Sequence, residues 1–450
     1  MSKIVEDFLI EYLERQPYAS HEELVSVLSE VELIIKKNQD KSLEEIIDII
    51  IEKDIQDYED IRKKYGVPGY TGSISVGNIN VKLYGGNINY LGEPMPSNAL
   101  FDIASMTKFY TQIVAYNLIK EGYFKREDKV MDLDSRFVNL GNLTVDDILT
   151  FGVSFKTDGL IKDKKTIDEA LNTLYTANVQ EVGKWNYNDV GLMIMKEVME
   201  KVTNMTYPEL VDKYIIKPLN LQDTHIIVPN SKFHLLTGTP NFKIGHINDM
   251  SANAVGGYSG HAGVFSSSDD LVKLARGVRE GNVVPNISDA YTPGRLNDAI
   301  GRMGNVYTSH PEGIAKTFVD NLEPRDTFAI AGSTRVNMAS SSDSTFNILF
   351  NPSSMSMEEA RDRINKINEE RTKKRLASIN PVKEFEFLRD GRLVSYHLID
   401  PRQLLPLGEM EKSVVNMART TLKLRFLDYI IKKYEKNIEE INVERNGNNK

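Results

Sequence analysis

Cysteine is missing from all 450 residues, which removes disulfides, thiolate catalysis and cysteine-based zinc sites from consideration. Basic clusters are missing too. The net charge is −9 and no Lys/Arg run interleaved with aromatics occurs, so nucleic acid is not an expected partner. No stretch approaches the roughly 18 consecutive apolar residues of a membrane span. The opening MSKIVEDFLIEYLERQ carries Glu6, Asp7 and Glu11 and has neither a basic lead nor a continuous apolar core, so it does not read as a signal peptide. A cytoplasmic protein with no membrane partner is the expectation. There is also no G-x-S-x-G elbow, which argues against a Ser-His-Asp hydrolase.

What is present is ordinary globular material, 41% hydrophobic and 26% charged, long enough for one large domain with appendages or for two to three domains. One stretch organises the rest: FDIASMTKFYTQIVAYNLIKEG, residues 101–122. It contains Ser105-Met106-Thr107-Lys108. Residues three apart share a helix face, with Cβ atoms about 5–6 Å apart, so the Ser105 hydroxyl and Lys108 ammonium can meet. A serine in the first turn of a helix also has its N–H among the unpaired donors, where negative charge is stabilised. Taken alone, the tetrapeptide reads more readily as a serine cap followed by a surface lysine.

Around this stretch the pattern gives a coarse order. Residues 1–64 are helical, with Ser20/Glu23 and Ser42/Glu45 spaced as capping boxes ahead of apolar periodicity. These two or three helices are expected to pack on the core, with self-association as their second role. Residues 72–76 and 79–86 read as strands joined by Gly77-Asn78. After the serine helix, residues 143–151 and 166–176 read as short helices, and Tyr187-Asn188-Asp189 leads into a helix from Val190. A further helix follows Tyr207-Pro208 and is expected to stop before Pro218. Gly256, Gly257, Gly260 and Gly263 mark a tightly turning backbone, and Ser268, Asp269 and Asp270 supply cap and first-turn charge to the next helix. His246 and His261 invite a metal reading, but only Asp249 is near them and no HxxxH or HxH spacing occurs, so no metal is expected.

Residues 327–339 and 344–351 alternate around a polar SSSD turn as one further hairpin. Ser356 with Glu359 caps a charged helix to about Leu376. Short β pieces at 382–388 and 393–398 and a charged helix from about Met410 to Ile441 complete the chain.

In this order the chain resembles the serine β-lactamase-related family, which includes class C β-lactamases, penicillin-binding-protein-like peptidases and related esterases. The likeness covers roughly residues 65–376. It rests on SMTK, on WNYND in place of Y-x-N, on VTNMTYPELVDKYIIKPLNLQDT, on GGYSGHAGVFSSSDDL, and on TFAIAGSTRV in place of the Lys/His-Thr-Gly strand. The resemblance implies an α/β (α+β) fold, with an antiparallel sheet flanked by helices plus an all-helical subdomain and helical extensions at both ends. The expected division is 1–64, 65–378 and 379–450.

The resemblance also implies roles. Ser105 is the expected nucleophile, Lys108 its base or proton relay, and Tyr187 a second acid/base. The backbone N–H groups of Ser105 and Ser333 form the oxyanion hole. Asp189, Gly332, Ser333 and Arg335 line the substrate pocket. No cofactor is implied, and the partner is a small-molecule or peptide substrate. Asp189 stands where asparagine is usual, and a carboxylate beside Lys108 favours ammonium over amine, so Tyr187 is expected to be the base. Ile330-Ala331-Gly332 lacks the strand cation that meets a substrate carboxylate. Arg335 is its candidate replacement, and strong penicillin binding is not expected. The expected function is a serine hydrolase acting through an acyl-enzyme on an ester, amide or peptide. A non-catalytic binding or regulatory protein on the same fold is the alternative.

Overall fold

In the computed structural model, the described residues are 2–237 apart from 18, 66, 89–91 and 185, then 247–283, 307–308, 327–351 and 353–355, scattered positions between 362 and 373, and 383–389, 392–399 and 407–447. His246 and the expected helix start at Ser356 lie outside them.

Six strands form one antiparallel sheet: β1 (Gly69–Val76), β2 (Ile79–Gly86), β3 (Tyr307–Thr308), β4 (Phe328–Gly332), β5 (Val336–Ser340) and β6 (Ser344–Phe350), ordered β2-β1-β6-β5-β4-β3. The period-2 alternation of a strand sends neighbours to opposite faces. Phe328 and Ile330 on β4 join Met338 on β5 in one core cluster, whereas Ala329 and Ala339 enter the other. The register agrees, since Ile330 faces Met338 and Ala329 faces Ala339. The sheet is therefore buried on both sides.

One face is covered above all by the helix Ser268–Arg279, which lies against Gly69–Val76, Val336–Ser340 and Ser344–Phe350. Behind it α4 (Thr107–Lys120) is buried at eleven of its fourteen residues, with Lys108, Thr111 and Gln112 among them, so its buried polar groups must find partners inside the protein. The other face is covered by α1 (Lys3–Arg15), α2 (His21–Lys37), α3 (Leu43–Tyr65) and the last helix, Leu407–Gly447. These elements from both ends of the chain share a single apolar cluster with Ile74, Val81, Phe346 and Ile348 of the sheet. The expected packing of the terminal helices on the core is thus observed: α3 and the last helix lie on the sheet, and α1 and α2 pack against them. Among the described residues, no helix is long and apolar enough to cross a membrane.

Several boundaries depart from expectation. The stretch read as one strand over 327–339 is two, folded back at Ser333-Thr334-Arg335, with Arg335 at φ +65°. A non-glycine residue in the left-handed region gives no turn signal in sequence. The helical run after Tyr207-Pro208 continues past Pro218 to Leu219, because a wide turn at Asp212–Ile216 precedes the proline and leaves room for its ring. The cap of Ser268–Arg279 is Ser267, whose hydroxyl accepts the Asp270 N–H.

Two buried polar groups fasten the last helix. Arg425 reaches Asp343 at 3.1 Å, the Tyr12 hydroxyl at 3.2 Å and the Ser341 hydroxyl at 3.0 Å, while Arg15 meets the same Asp343 at 2.6 Å. Arg425 is buried, whereas Asp343 keeps more than a third of its surface and retains Arg15 when Arg425 is lost, so the cost is that of the lost charge-assisted hydrogen bonds, about 1.5–3 kcal/mol. Arg425→Met is therefore expected to lower stability by that order, read as a reduced urea midpoint.

Asp54 of α3 is buried against the last helix and accepts the Thr420 hydroxyl. Burial raises its pKa to about 6, against the Thr420 bond and Lys423. Between about pH 4 and 6 the folded state holds a proton that the unfolded chain has released, so this group's contribution falls as pH rises through that window. Asp54→Asn keeps an oxygen for Thr420 and removes the charge. The variant is expected to melt above the wild type at pH 7.5 by an amount on the order of 2–3 kcal/mol, with the gap closing by pH 4 in thermal melts.

Candidate active site

The nucleophile turn is short and tightly held. Phe101–Asp102 pair with Phe265–Ser266, a single 3-10 turn spans Ala104–Met106, and α4 begins at Thr107. Ser105 is half-buried at the mouth of this turn. One turn on, Lys108 is completely buried, and its ammonium donates to Ser105 Oγ at 2.9 Å, as the i, i+3 spacing predicts. The same nitrogen reaches the His261 carbonyl at 3.3 Å and Asp189 Oδ1 at 2.7 Å. Its three N–H bonds thus have three acceptors. Burial alone favours the free amine, but the Asp189 carboxylate, with the Tyr187 side chain beside it, outweighs burial and raises the Lys108 pKa. Lys108 is therefore an ammonium.

Tyr187 comes from a loop pinned at both ends. The Asn186 N–H donates to the Phe151 carbonyl at 2.7 Å. Asn188 Nδ2 donates to the Val153 carbonyl at 2.9 Å, and its Oδ1 accepts the Gly191 N–H at 2.8 Å, at the start of the helix Val190–Thr203. The Tyr187 ring stacks on Phe151 with centroids 5.8 Å apart and planes 7° from parallel. Phe151 itself is held at φ +53°. So placed, the Tyr187 hydroxyl donates to Ser105 Oγ at 2.8 Å, and Lys108 Nζ lies 4.9 Å from the ring centroid. The hydroxyl, amine and phenol expected to converge do so. Asn188, which sets the loop, was not singled out in the sequence, although Asn three residues before Gly at a helix start is the signal that marks it.

The third side is an ionic network that sequence spacing did not reveal. His261 is buried, with Nε2 3.0 Å from Asp249 Oδ1 and Nδ1 2.8 Å from the Ser259 hydroxyl. Asp249 also caps Met250–Ala254 by accepting the Ala252 N–H at 2.8 Å. Burial would raise the Asp249 carboxyl, but His261, the Ala252 N–H and Lys108 together lower it to about 2. Asp189 is lowered in the same way, with Lys108 and His261 prevailing over burial. Both are carboxylates at neutral pH. Ligating atoms of Asp189, Asp249 and His261 lie within 4.8 Å of one another, so the structure assembles the donor types of a metal site where local spacing offered only one carboxylate. Each member already serves another: Asp189 pairs with Lys108, Asp249 with His261.

The fourth side is the turn between β4 and β5. A Cβ on Gly332 would lie 2.4 Å from the Ile103 carbonyl, so only glycine lets this strand end reach the nucleophile turn. Ser333 follows, exposed, and the Thr334 hydroxyl donates to the Asp102 carbonyl at 2.6 Å. Arg335 closes the turn by donating its N–H to the Gly332 carbonyl at 3.2 Å. Ile330 is buried in the core, so the strand position at which a cation was sought is apolar.

Comparison with known proteins bears on the family and the fold. Residues 55–313, more than half of the chain, match the Beta-lactamase family model. A Salmonella typhimurium protein provisionally named a D-alanyl-D-alanine carboxypeptidase is 24% identical over 230 residues, 42% of this chain and 53% of its own. The chain thus spans about half the length of the curated relatives it matches. Among solved structures, EstCE1, a hydrolase with promiscuous acyltransferase activity, superposes with a TM-score of 0.55 at 16% identity over 68% of this chain and 94% of its own. A class C β-lactamase from Rhodobacter sphaeroides does so with a TM-score of 0.51, also at 16% identity, over 69% and 96%. These likenesses establish the fold expected above, and with the match over residues 55–313 they show that the chain belongs to the Beta-lactamase family.

Proposed function

We propose that the protein is a serine hydrolase that acylates Ser105 and releases the acyl group to water. The observation that carries this reading is a hydroxyl contacted at once by an ammonium at 2.9 Å and a phenol at 2.8 Å, in the 3-10 turn that leads into a buried helix. A serine hydroxyl becomes a useful nucleophile only with a base within about 2.6–3.2 Å. Lys108 is held as an ammonium by Asp189, so the proton acceptor in this reading is Tyr187, which must first give up to solvent the proton it donates to Ser105, with the Lys108 charge beside its ring as counter-charge. As Ser105 Oγ attacks the carbonyl carbon, its proton passes to Tyr187. The tetrahedral oxyanion is received by the N–H groups of Ser105 and Ser333. Tyr187 then returns the proton to the leaving group as the acyl bond breaks, and the same steps run with water to free the acid.

The substrate class follows from Ile330. Without a cation at that strand position, a carboxylate on the substrate has no designed partner there, which favours an ester or amide lacking one over a penicillin-like acid. The same observation supports the second reading, a non-catalytic binding protein. An acyl probe separates them.

A fluorophosphonate is expected to label the wild type and to leave Ser105→Ala unlabelled, by in-gel fluorescence and peptide mass. Silence of the wild type toward fluorophosphonate, fluorescent penicillin and activated esters alike supports the binding reading. Tyr187→Phe is expected to slow labelling by about 10²–10⁴-fold, the usual contribution of a positioned acid/base. Full labelling in that variant returns the base role to Lys108.

A further inference from the structure

Asp102 is buried, 2% exposed, two residues before a backbone conformation that alanine adopts at a cost. Ala104, immediately ahead of Ser105, has φ +47°, in the left-handed region that glycine occupies freely. Asp102 Oδ1 accepts the Ala104 N–H at 2.8 Å, closing an Asx turn that offsets that cost. Its other oxygen, Oδ2, accepts the Asn248 N–H at 2.6 Å, and its backbone carbonyl accepts the Thr334 hydroxyl at 2.6 Å. One residue therefore joins three segments. They are the nucleophile turn, the segment whose next residue, Asp249, pairs with His261, and the strand turn that carries Ser333.

The consequences reach each reacting group. The His261 carbonyl is one of the three acceptors of Lys108, and His261 is held by Asp249, so Asn248 fixes one end of a chain that terminates on the Ser105–Lys108 pair. Thr334 holds the turn next to Ser333, one of the two oxyanion donors. The dihedral at Ala104 sets the direction of the Ser105 N–H, the other donor. A carboxylate suits this post because both of its oxygens only accept, and both neighbours here are N–H donors. An amide in the same place would turn its NH₂ toward one of them.

We propose that Asp102 is a positioning residue for acylation, its carboxylate holding the left-handed turn at Ala104 and tying that turn to the Asn248–Asp249 segment, while its backbone carbonyl anchors the Ser333 turn. The inference rests on the hydrolase reading for its kinetic consequence, though not for its structural one.

Asp102→Asn is the variant to measure, with a fluorophosphonate for kinetics and amide hydrogen exchange of the peptide spanning residues 101–108 for structure. The expected result is a 10–100-fold fall in the limiting labelling rate, little change in the probe's half-saturation concentration, and faster exchange in that peptide. Adding Ala104→Gly to Asp102→Asn is then expected to restore at least a tenfold part of the rate, because glycine takes the left-handed turn without the staple. A general packing role would not be rescued in this way. The proposal is overturned if Asp102→Asn labels within twofold of the wild type, or if the double variant is no faster than the single one while both melt cooperatively. If Asp102→Asn does not fold but the double variant does, the turn-holding role is supported. If neither folds, Asp102 serves stability and the proposal falls. Should the wild type take no acyl probe, the hydrolase reading fails separately. Hydrogen exchange then decides the turn-holding role: protection lost in Asp102→Asn and regained with Ala104→Gly sustains it, and unchanged exchange ends it.

Discussion

A buried ammonium is the constraint from which most of this site follows. Lys108 is the second residue of a helix buried along most of its length, with none of its own surface exposed to water. An isolated charge in such a place is untenable, so each N–H must find an oxygen and the net charge must find a counter-ion. Asp189 supplies the charge, and the His261 carbonyl and Ser105 hydroxyl supply the rest. Each of the three comes from a different segment of chain. Satisfying one lysine therefore fixes the loop before the helix Val190–Thr203, the glycine-rich segment and the nucleophile turn in a single arrangement. Those requirements of stability are also the ones that bring Tyr187, two residues from Asp189, within reach of Ser105.

The sheet sets the second constraint. Its strand β4 must come close enough for Ser333 to flank the nucleophile, and the contact between Gly332 and the Ile103 carbonyl leaves no space for a side chain. Such an approach holds only if the sheet cannot bend away. The helices from both ends of the chain stiffen it from behind: they bury its far face, and Arg425 and Arg15 clamp the β5–β6 turn through Asp343. The appendages thus support the active-site edge from the opposite side of the sheet.

Local chemistry was legible in the sequence, and long-range convergence was not. The Ser105–Lys108 contact could be read because helix geometry alone dictates it, and the positive-φ turns at Gly256, Gly257, Gly260 and Gly263 because glycine announces them. Tyr187 could be placed at a helix entrance but reached Ser105 only through the family resemblance. The link from Asp189 to Asp249 and His261 joins residues sixty and more apart, and no periodicity carries such information. The turn at Arg335 and the left-handed Ala104 escaped for a different reason. Each is a backbone strain imposed by tertiary contacts on a residue whose own preference points elsewhere, so propensity argued for the wrong conformation.

The two departures from the family pattern, Asp189 for asparagine and Ile330 for a basic residue, make physical sense together. A cation on the strand edge repels the Lys108 ammonium and so favours the free amine, whereas a neutral asparagine beside it does nothing to restore the charge. Here the strand side is apolar and the loop side carries a carboxylate, and it is Asp189 that holds Lys108 in the protonated form. A protonated lysine cannot accept the serine proton, but it can stabilise a phenolate whose ring centroid is 4.9 Å away. Under the proposed mechanism the two departures divide the work. Asp189 moves the base role from the amine to the phenol, and the loss of the strand cation removes the positive charge that would have drawn in a carboxylate-bearing substrate.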